Sequence, residues 1–261
     1  VTDPARLSLN LITVDHWSLS EAVERCAAAG IRWVAPWRHQ YEDAGEAARV
    51  VAGAGLAVSS LCRGGFFTTA GADDDNRRAV EEAATLGAPV LVLVCGPPTG
   101  RDLTAARATI AGGIERLLPY AAEHSVLLGI EPLHPMMVGE RSAIVTLGEA
   151  LALARSFEHA GVGVVVDAYH VFWDPDLEAE LAGARGMVAG YHVSDWLVPI
   201  PELLAGRGLM GDGIIDLPRV GALVAATGYG GPIEVEVINA ALATVPPSEL
   251  LADIKARFAR I

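Results

Sequence analysis

Lysine is all but missing from this chain, and the one present, Lys255, lies in what reads as the last helix. Schiff-base chemistry needs a desolvated lysine amine in the site, so an aldolase of that kind is excluded. Cysteine is scarce too. Cys26, Cys62 and Cys95 are odd in number, widely scattered and form no metal-binding pair, the pattern of reduced cytoplasmic thiols. Positive charge is in deficit, with 19 Lys and Arg against 32 Asp and Glu and a net charge of −13. Nucleic-acid binding draws on clustered Lys and Arg, so no such partner is expected. No apolar run approaches the ~20 residues of a membrane span. The stretch VTDPARLSLN lacks the basic-then-apolar order of a signal peptide. A cytoplasmic protein without a membrane partner is therefore expected. Nor is there a phosphate-binding Gly-rich loop, since RGG and GDG are too short to form one.

What is present is a repeating alternation of apolar runs and helical patterns. Hydrophobic residues make up 52% of the chain, enough for a substantial core. Eight strand-then-helix units can be traced, with strands near residues 7–13, 32–35, 57–61, 90–95, 126–130, 162–166, 187–191 and 233–238. Ser18 with Glu21, and Thr146 with Glu149, have the spacing of capping boxes at helix starts. Strands that read as nearly unbroken apolar runs are covered on both faces, as parallel strands are. No linker, low-complexity segment or composition shift divides the chain. Eight such units in 261 residues, where an α/β barrel takes ~250, predict a single-domain (β/α)8 TIM barrel over residues 1–261.

The chemistry sits where the apolar runs stop. VGVVVDAYH ends at Asp167, GMVAGYHVSDW reaches His192, and the strand of residues 126–130 leads into Glu131. The last strand carries either Glu234 or Glu236. A barrel gathers the C-terminal ends of its strands around one pocket. Three carboxylates and an imidazole make an oxygen-rich set suited to Mn²⁺, Mg²⁺, Co²⁺ or Zn²⁺. His170, His134 and Asp195 each follow one of these ligands by three residues, and Arg63 follows an earlier strand; all four are candidates to contact substrate or orient a ligand. His16, Trp17 and Trp37 also follow early strands, the tryptophans reading better as packing under loops. His124 and His159 fall near helix C-termini, where the dipole favours a cation, and read as structural.

These motifs together resemble the sugar phosphate isomerase/epimerase superfamily of xylose isomerase-like TIM barrels. GIEPLHP, VVVDAYH, YHVSD, MGDGIID and YGGPIEVEVIN carry the likeness, which spans nearly the whole chain and is strongest from Leu128 onward. The resemblance implies one divalent metal, Mn²⁺ first, held by Glu131, Asp167, His192 and Glu236, with the two glutamates also moving protons. It favours Glu236 over Glu234, and so does depth. Two residues of strand separate them by roughly 6–7 Å along the barrel, which puts Glu234 below the ligand plane. Glu234 then is a buried carboxylate that needs hydrogen-bond partners or an Arg such as Arg32. Ketose epimerases carry an Arg soon after the His motif; here the first is Arg207, a candidate substrate contact. The expected activity is isomerisation or epimerisation of a small sugar or hydroxy-ketone through an ene-diolate, a step in carbohydrate metabolism. A lyase or dehydratase acting on a keto-sugar, inosose or 3-keto-glycoside is the nearest alternative. A non-catalytic sugar-binding or accessory subunit is another. The resemblance leaves homo-oligomerisation open.

Overall fold

The computed structural model describes residues 2–261. Its sheet strands are β1 (Leu7–Asn10), β2 (Trp33–Ala35), β3 (Ala57–Val58), β4 (Leu61–Gly65), β5 (Val90–Val94), β6 (Leu127–Glu131), β7 (Val162–Asp167) and β8 (Val188–Val193), with β11 (Ile233–Val235) last. All pair in parallel, in the order β3-β2-β1-β11-β8-β7-β6-β5-β4. β3 and β4 are one barrel stave broken at Ser59–Ser60, which gives an eight-stave, nearly closed TIM barrel. A bridge from Trp37 to Cys62 spans the seam where the two halves of that stave change partners. Helices α1 (Leu19–Ala28), α2 (Ala44–Gly53), α3 (Ala72–Leu86), α4 (Leu103–Glu123), α5 (Leu147–Ser156), α7 (Leu177–Ala182), α8 (Leu217–Ala226) and α9 (Pro247–Phe258) wrap the outside, while the single buried turn α6 (Ala168–Val171) follows Asp167 at the mouth.

Local chemistry explains the boundaries. The side chains of Ser18 and Glu21 each meet the other residue's backbone amide at the start of α1, and Thr146 and Glu149 do the same for α5. Every residue of β5, VLVLV, is buried, because helices cover one face and the barrel interior the other. The first strand is shorter than the 7–13 expected. Asn10 accepts a hydrogen bond from the Ile12 amide and turns the chain into a 3₁₀ segment, Leu11–Val14. The long segment after β8 is not a plain loop either, since it holds a small antiparallel pair, β9 (Asp195–Trp196) with β10 (Arg207–Gly208). No helix among the described residues is long and apolar enough to cross a membrane.

Register sets the height of the key side chains. Asp167 on β7 lies level with His192 on β8, and His192 lies level with Glu234 on β11. Glu236 falls just beyond β11, its amide donating to the Val193 carbonyl, one inward-facing step nearer the mouth.

Candidate metal centre

Glu131, Asp167, His192 and Glu236 come together. Each offers one ligand atom, those atoms lie within 4.8 Å of one another, and all four side chains are buried. Each sits at or just past the C-terminal end of its strand, so four consecutive staves deliver them to one point. Asp167 is held at both ends: Oδ1 accepts from the Tyr169 amide at 2.9 Å and starts α6, while Oδ2 accepts from Arg207 Nη1 at 2.9 Å. His192 turns Nδ1 toward Glu236 Oε2 at 3.0 Å and Glu131 Oε1 at 3.3 Å.

Glu234 lies below this plane. Its oxygens accept from Asn10 Nδ2 at 3.1 Å and Ser59 Oγ at 2.8 Å, and one lies 3.3 Å from His192 Nε2. Trp37 Nε1 in turn donates to Asn10 Oδ1 at 2.7 Å. Of the two expectations, hydrogen-bond partners hold the carboxylate and Arg32, which is exposed, does not. Two neutral polar groups from β1 and the broken stave satisfy the carboxylate instead. The imidazole is left with Nδ1 facing the quartet and Nε2 facing Glu234, an arrangement in which a carboxylate can select the tautomer of a metal-binding histidine.

Arg207 is fully buried although it arrives from the distant β10. Besides Asp167, its guanidinium reaches the Glu236 carbonyl at 3.2 Å and His170 Nε2 at 3.1 Å, and lies 4.5 Å above the Tyr169 ring centre. Arg63, His170 and Arg207 line one cavity with Glu131 and Glu236. Trp37 lines it too, although packing under a loop was the preferred expectation for it, and so does Arg141, which was not expected at all. The signal for Arg141 is its place in the loop that follows Glu131, where barrel active sites are built. Asp195 does not line the cavity. Its carboxylate accepts from the amides of Trp196, Gly211 and Ile215 at 2.9, 2.9 and 3.0 Å and so ties down the segment that brings in Arg207. His134 is half-buried, packed between Trp173 and Trp196, and its backbone amide donates to His170 Nδ1. His16 is exposed, and Trp17 is buried beneath Arg25.

The electrostatics are those of several carboxylates crowded into one buried space. Burial pushes Glu131 up to about 7, with the charges of Glu236 and Asp167 adding to the effect and His192 opposing it. Glu236 moves the other way: burial alone would raise it, but Arg207 and His192 hold it below the usual glutamate range. Burial disfavours the charge on His192, yet Glu234, Glu131 and Glu236 together hold its pKa well above the ordinary value. His170 is driven down to about 3 by burial, against the pull of Asp167 and with Arg207 adding to the fall. Glu131 Oε1, which faces the quartet, is buried without a well-aligned hydrogen-bond partner. Converging carboxylates and an orphaned polar atom in a buried site fit a bound divalent ion, which would satisfy an acceptor that the protein leaves unpaired.

Comparison with known proteins agrees with this architecture. Residues 23–260 match the family model described as xylose isomerase-like TIM barrel. The crystal structure of protein SMc04130 from Sinorhizobium meliloti 1021 superposes with a TM-score of 0.94 at 42% identity, covering 99% of this chain and 98% of that one. The IOLI protein with a binding zinc atom superposes at 0.84 with 17% identity, covering 98% and 97%. D-psicose 3-epimerase, solved in the presence of D-fructose, superposes at 0.77 with 14% identity, covering 98% and 97%. The last two share the fold. A search of curated proteins returns no match.

Proposed function

We propose that this chain, which belongs to the xylose isomerase-like TIM barrel family, is a divalent-metal-dependent isomerase or epimerase of a small sugar or hydroxy-ketone. The observation that carries the reading is the meeting of Glu131 and Glu236 with Asp167 and His192 at one buried point. Two glutamates facing one point are placed to divide acid and base work. Glu131, Asp167, His192 and Glu236 would hold the ion, with Mn²⁺ first for this oxygen-rich set and Mg²⁺, Co²⁺ or Zn²⁺ as alternatives. When bound, it supplies Lewis acidity that stabilises negative charge on a substrate carbonyl and its neighbouring hydroxyl.

The protein's own groups do the rest. One glutamate removes the proton from the carbon beside the carbonyl, and the other returns a proton to the resulting ene-diolate. A positioned acid or base of this kind contributes ~10²–10⁴-fold. Arg207 and His170, packed against each other and against Asp167, orient the substrate oxygens, while burial keeps bulk water from the reacting carbon. The zinc in the IOLI protein supports the metal, and D-psicose 3-epimerase with L-ribulose 3-epimerase (TM-score 0.77) supports the reaction class by analogy of fold. Three free, buried cysteines support a reducing, cytoplasmic setting.

The test is solvent exchange. Protein loaded with Mn²⁺ is incubated in D₂O with candidate ketoses, inososes and 3-keto-glycosides, and deuterium on carbon is followed by NMR. Exchange without loss of water is expected, and Glu131→Gln should abolish it while leaving the fold intact. Elimination of water would favour a lyase. Silence with every substrate class would favour a binding protein. Exchange retained by Glu131→Gln with the metal bound would remove Glu131 from the base role.

A further inference from the structure

Several arginines near the barrel mouth are matched to carboxylates. Arg38 is paired with Asp75 and Glu82, Arg107 with Glu149, and Arg207 with Asp167. Arg63 and Arg141 line the same cavity as Glu131, His170, Arg207 and Glu236, yet among the described residues neither guanidinium has a hydrogen-bond or ion-pair partner. Arg63 is half-buried and lies over the Phe66 ring, 4.1 Å from its centre, which holds the head group at the cavity wall. Burial lowers the pKa of Arg63, and the positive charge of Arg141 adds to the fall against the opposing pull of Cys62 and Asp75. In a chain with 32 acidic residues against 19 basic ones, two unmatched cations in a cavity do not reflect a shortage of carboxylates.

The charge balance leads to the same place. With a divalent ion in the quartet, Glu131, Asp167 and Glu236 are matched by that ion and Arg207, while Glu234 lies below the cavity, held by Asn10 and Ser59. Among the described residues no carboxylate of the cavity stands within ion-pair distance of Arg63 or Arg141. A guanidinium offers a planar fork of donors that fits carboxylate and phosphate oxygens in pairs. We propose that Arg63 and Arg141 form an anion subsite that binds a carboxylate or phosphate group carried by the substrate. The substrate class is then an acidic sugar, a hydroxy-keto acid or a sugar phosphate, and not a neutral ketose. This inference rests on the reading of the quartet as the reaction site.

The test compares three six-carbon polyols that differ in charge: D-glucitol, D-gluconate and D-glucitol 6-phosphate. Each is titrated calorimetrically into the Mn²⁺-saturated protein and into the metal-free protein, and Mn²⁺ affinity is measured separately. At least one anion should bind roughly 10–100-fold more tightly than glucitol, the scale of one or two charge-assisted hydrogen bonds. Arg63→Gln and Arg141→Gln should each erase that advantage and leave Mn²⁺ affinity unchanged, which also shows that the variants fold. Which anion wins tells a carboxylate subsite from a phosphate one. No advantage for either anion, or an advantage that survives both substitutions, overturns the proposal. Failure of Mn²⁺ to bind the wild-type quartet would instead overturn the reaction-site reading, and the metal titration reports that on its own.

Discussion

The glutamates of IEVEVIN stand two residues apart on one strand, and that step in depth separates their surroundings. Glu234 is level with His192, held by Asn10 and Ser59 and aimed at Nε2; Glu236 is higher and faces Nδ1. Glu236→Gln should therefore cost the most Mn²⁺ affinity, as loss of a ligand. Glu234→Gln should cost roughly 10–100-fold, the usual effect of releasing the partner that orients a metal-binding histidine. A large loss for Glu234→Gln with none for Glu236→Gln would reverse the assignment. Protons offer a second measurement. Glu131 is raised to about 7 from an ordinary 4.5, so the metal-free protein holds a proton there that the unfolded chain releases near 4.5. The stability that this proton contributes is complete below about 4.5 and is lost as pH rises toward about 7. Metal binding has to displace it, together with the proton on the similarly raised His192. Mn²⁺ affinity should thus climb as pH rises toward 7, with proton release visible by calorimetry in buffers of different ionisation enthalpy. A pH-independent affinity over that range would contradict the reading.

Two short elements decide how the site is furnished. At the β4 end, Gly65 has φ of +105°, and a Cβ there would lie 2.0 Å from the Val94 carbonyl oxygen, so only glycine lets the chain run this close behind Arg63. After β8, Gly213 approaches the Trp196 carbonyl so closely that a Cβ would lie 2.2 Å from that oxygen. Asp195 gathers the amides of the same segment and delivers β10, hence Arg207, to Asp167. Asp195→Ala leaves those amides without their acceptor and should destabilise the protein by about 1–3 kcal/mol. It should also lower kcat, because Arg207 loses its anchor. Urea denaturation and steady-state kinetics check the two parts. Unchanged kcat in a destabilised but folded variant would show that Arg207 is positioned without the segment.

At the scale of the molecule, the quartet joins staves β6, β7, β8 and the end of β11, so an ion held there would link half of the barrel. Ligand binding to the folded state alone adds about 2.7 kcal/mol of stability at a hundredfold excess over Kd. For a domain of this size that corresponds to roughly 5–10 °C. Chelation by EDTA should lower Tm by that amount and Mn²⁺ should restore it, with no such shift in Asp167→Asn. An unchanged Tm on chelation would argue against a bound ion.

The sequence by itself determined the barrel and the heights of its polar strand ends. Apolar runs such as VLVLV and VGVVV have to be covered on both faces, and eight such units in 261 residues favour a closed barrel over an open sheet. Each run ends where a polar side chain must face the mouth, so Glu131, Asp167 and His192 were legible as strand ends, and the capping boxes at Ser18 and Thr146 as helix starts. Local patterns carry that information because strand and helix periodicity act over a few residues. What they cannot carry is partnership between distant segments. That Glu234 rests on Asn10 and Ser59 and not on Arg32 depends on the break in the third stave and on the register between β1 and β11. That Arg207 reaches Asp167 depends on an antiparallel pair inside a segment that reads as loop. Closure of the barrel decided the first, because only closure brings the first and last staves side by side. The second was decided by how the segment after β8 folds back over the mouth, where a buried guanidinium must find a carboxylate.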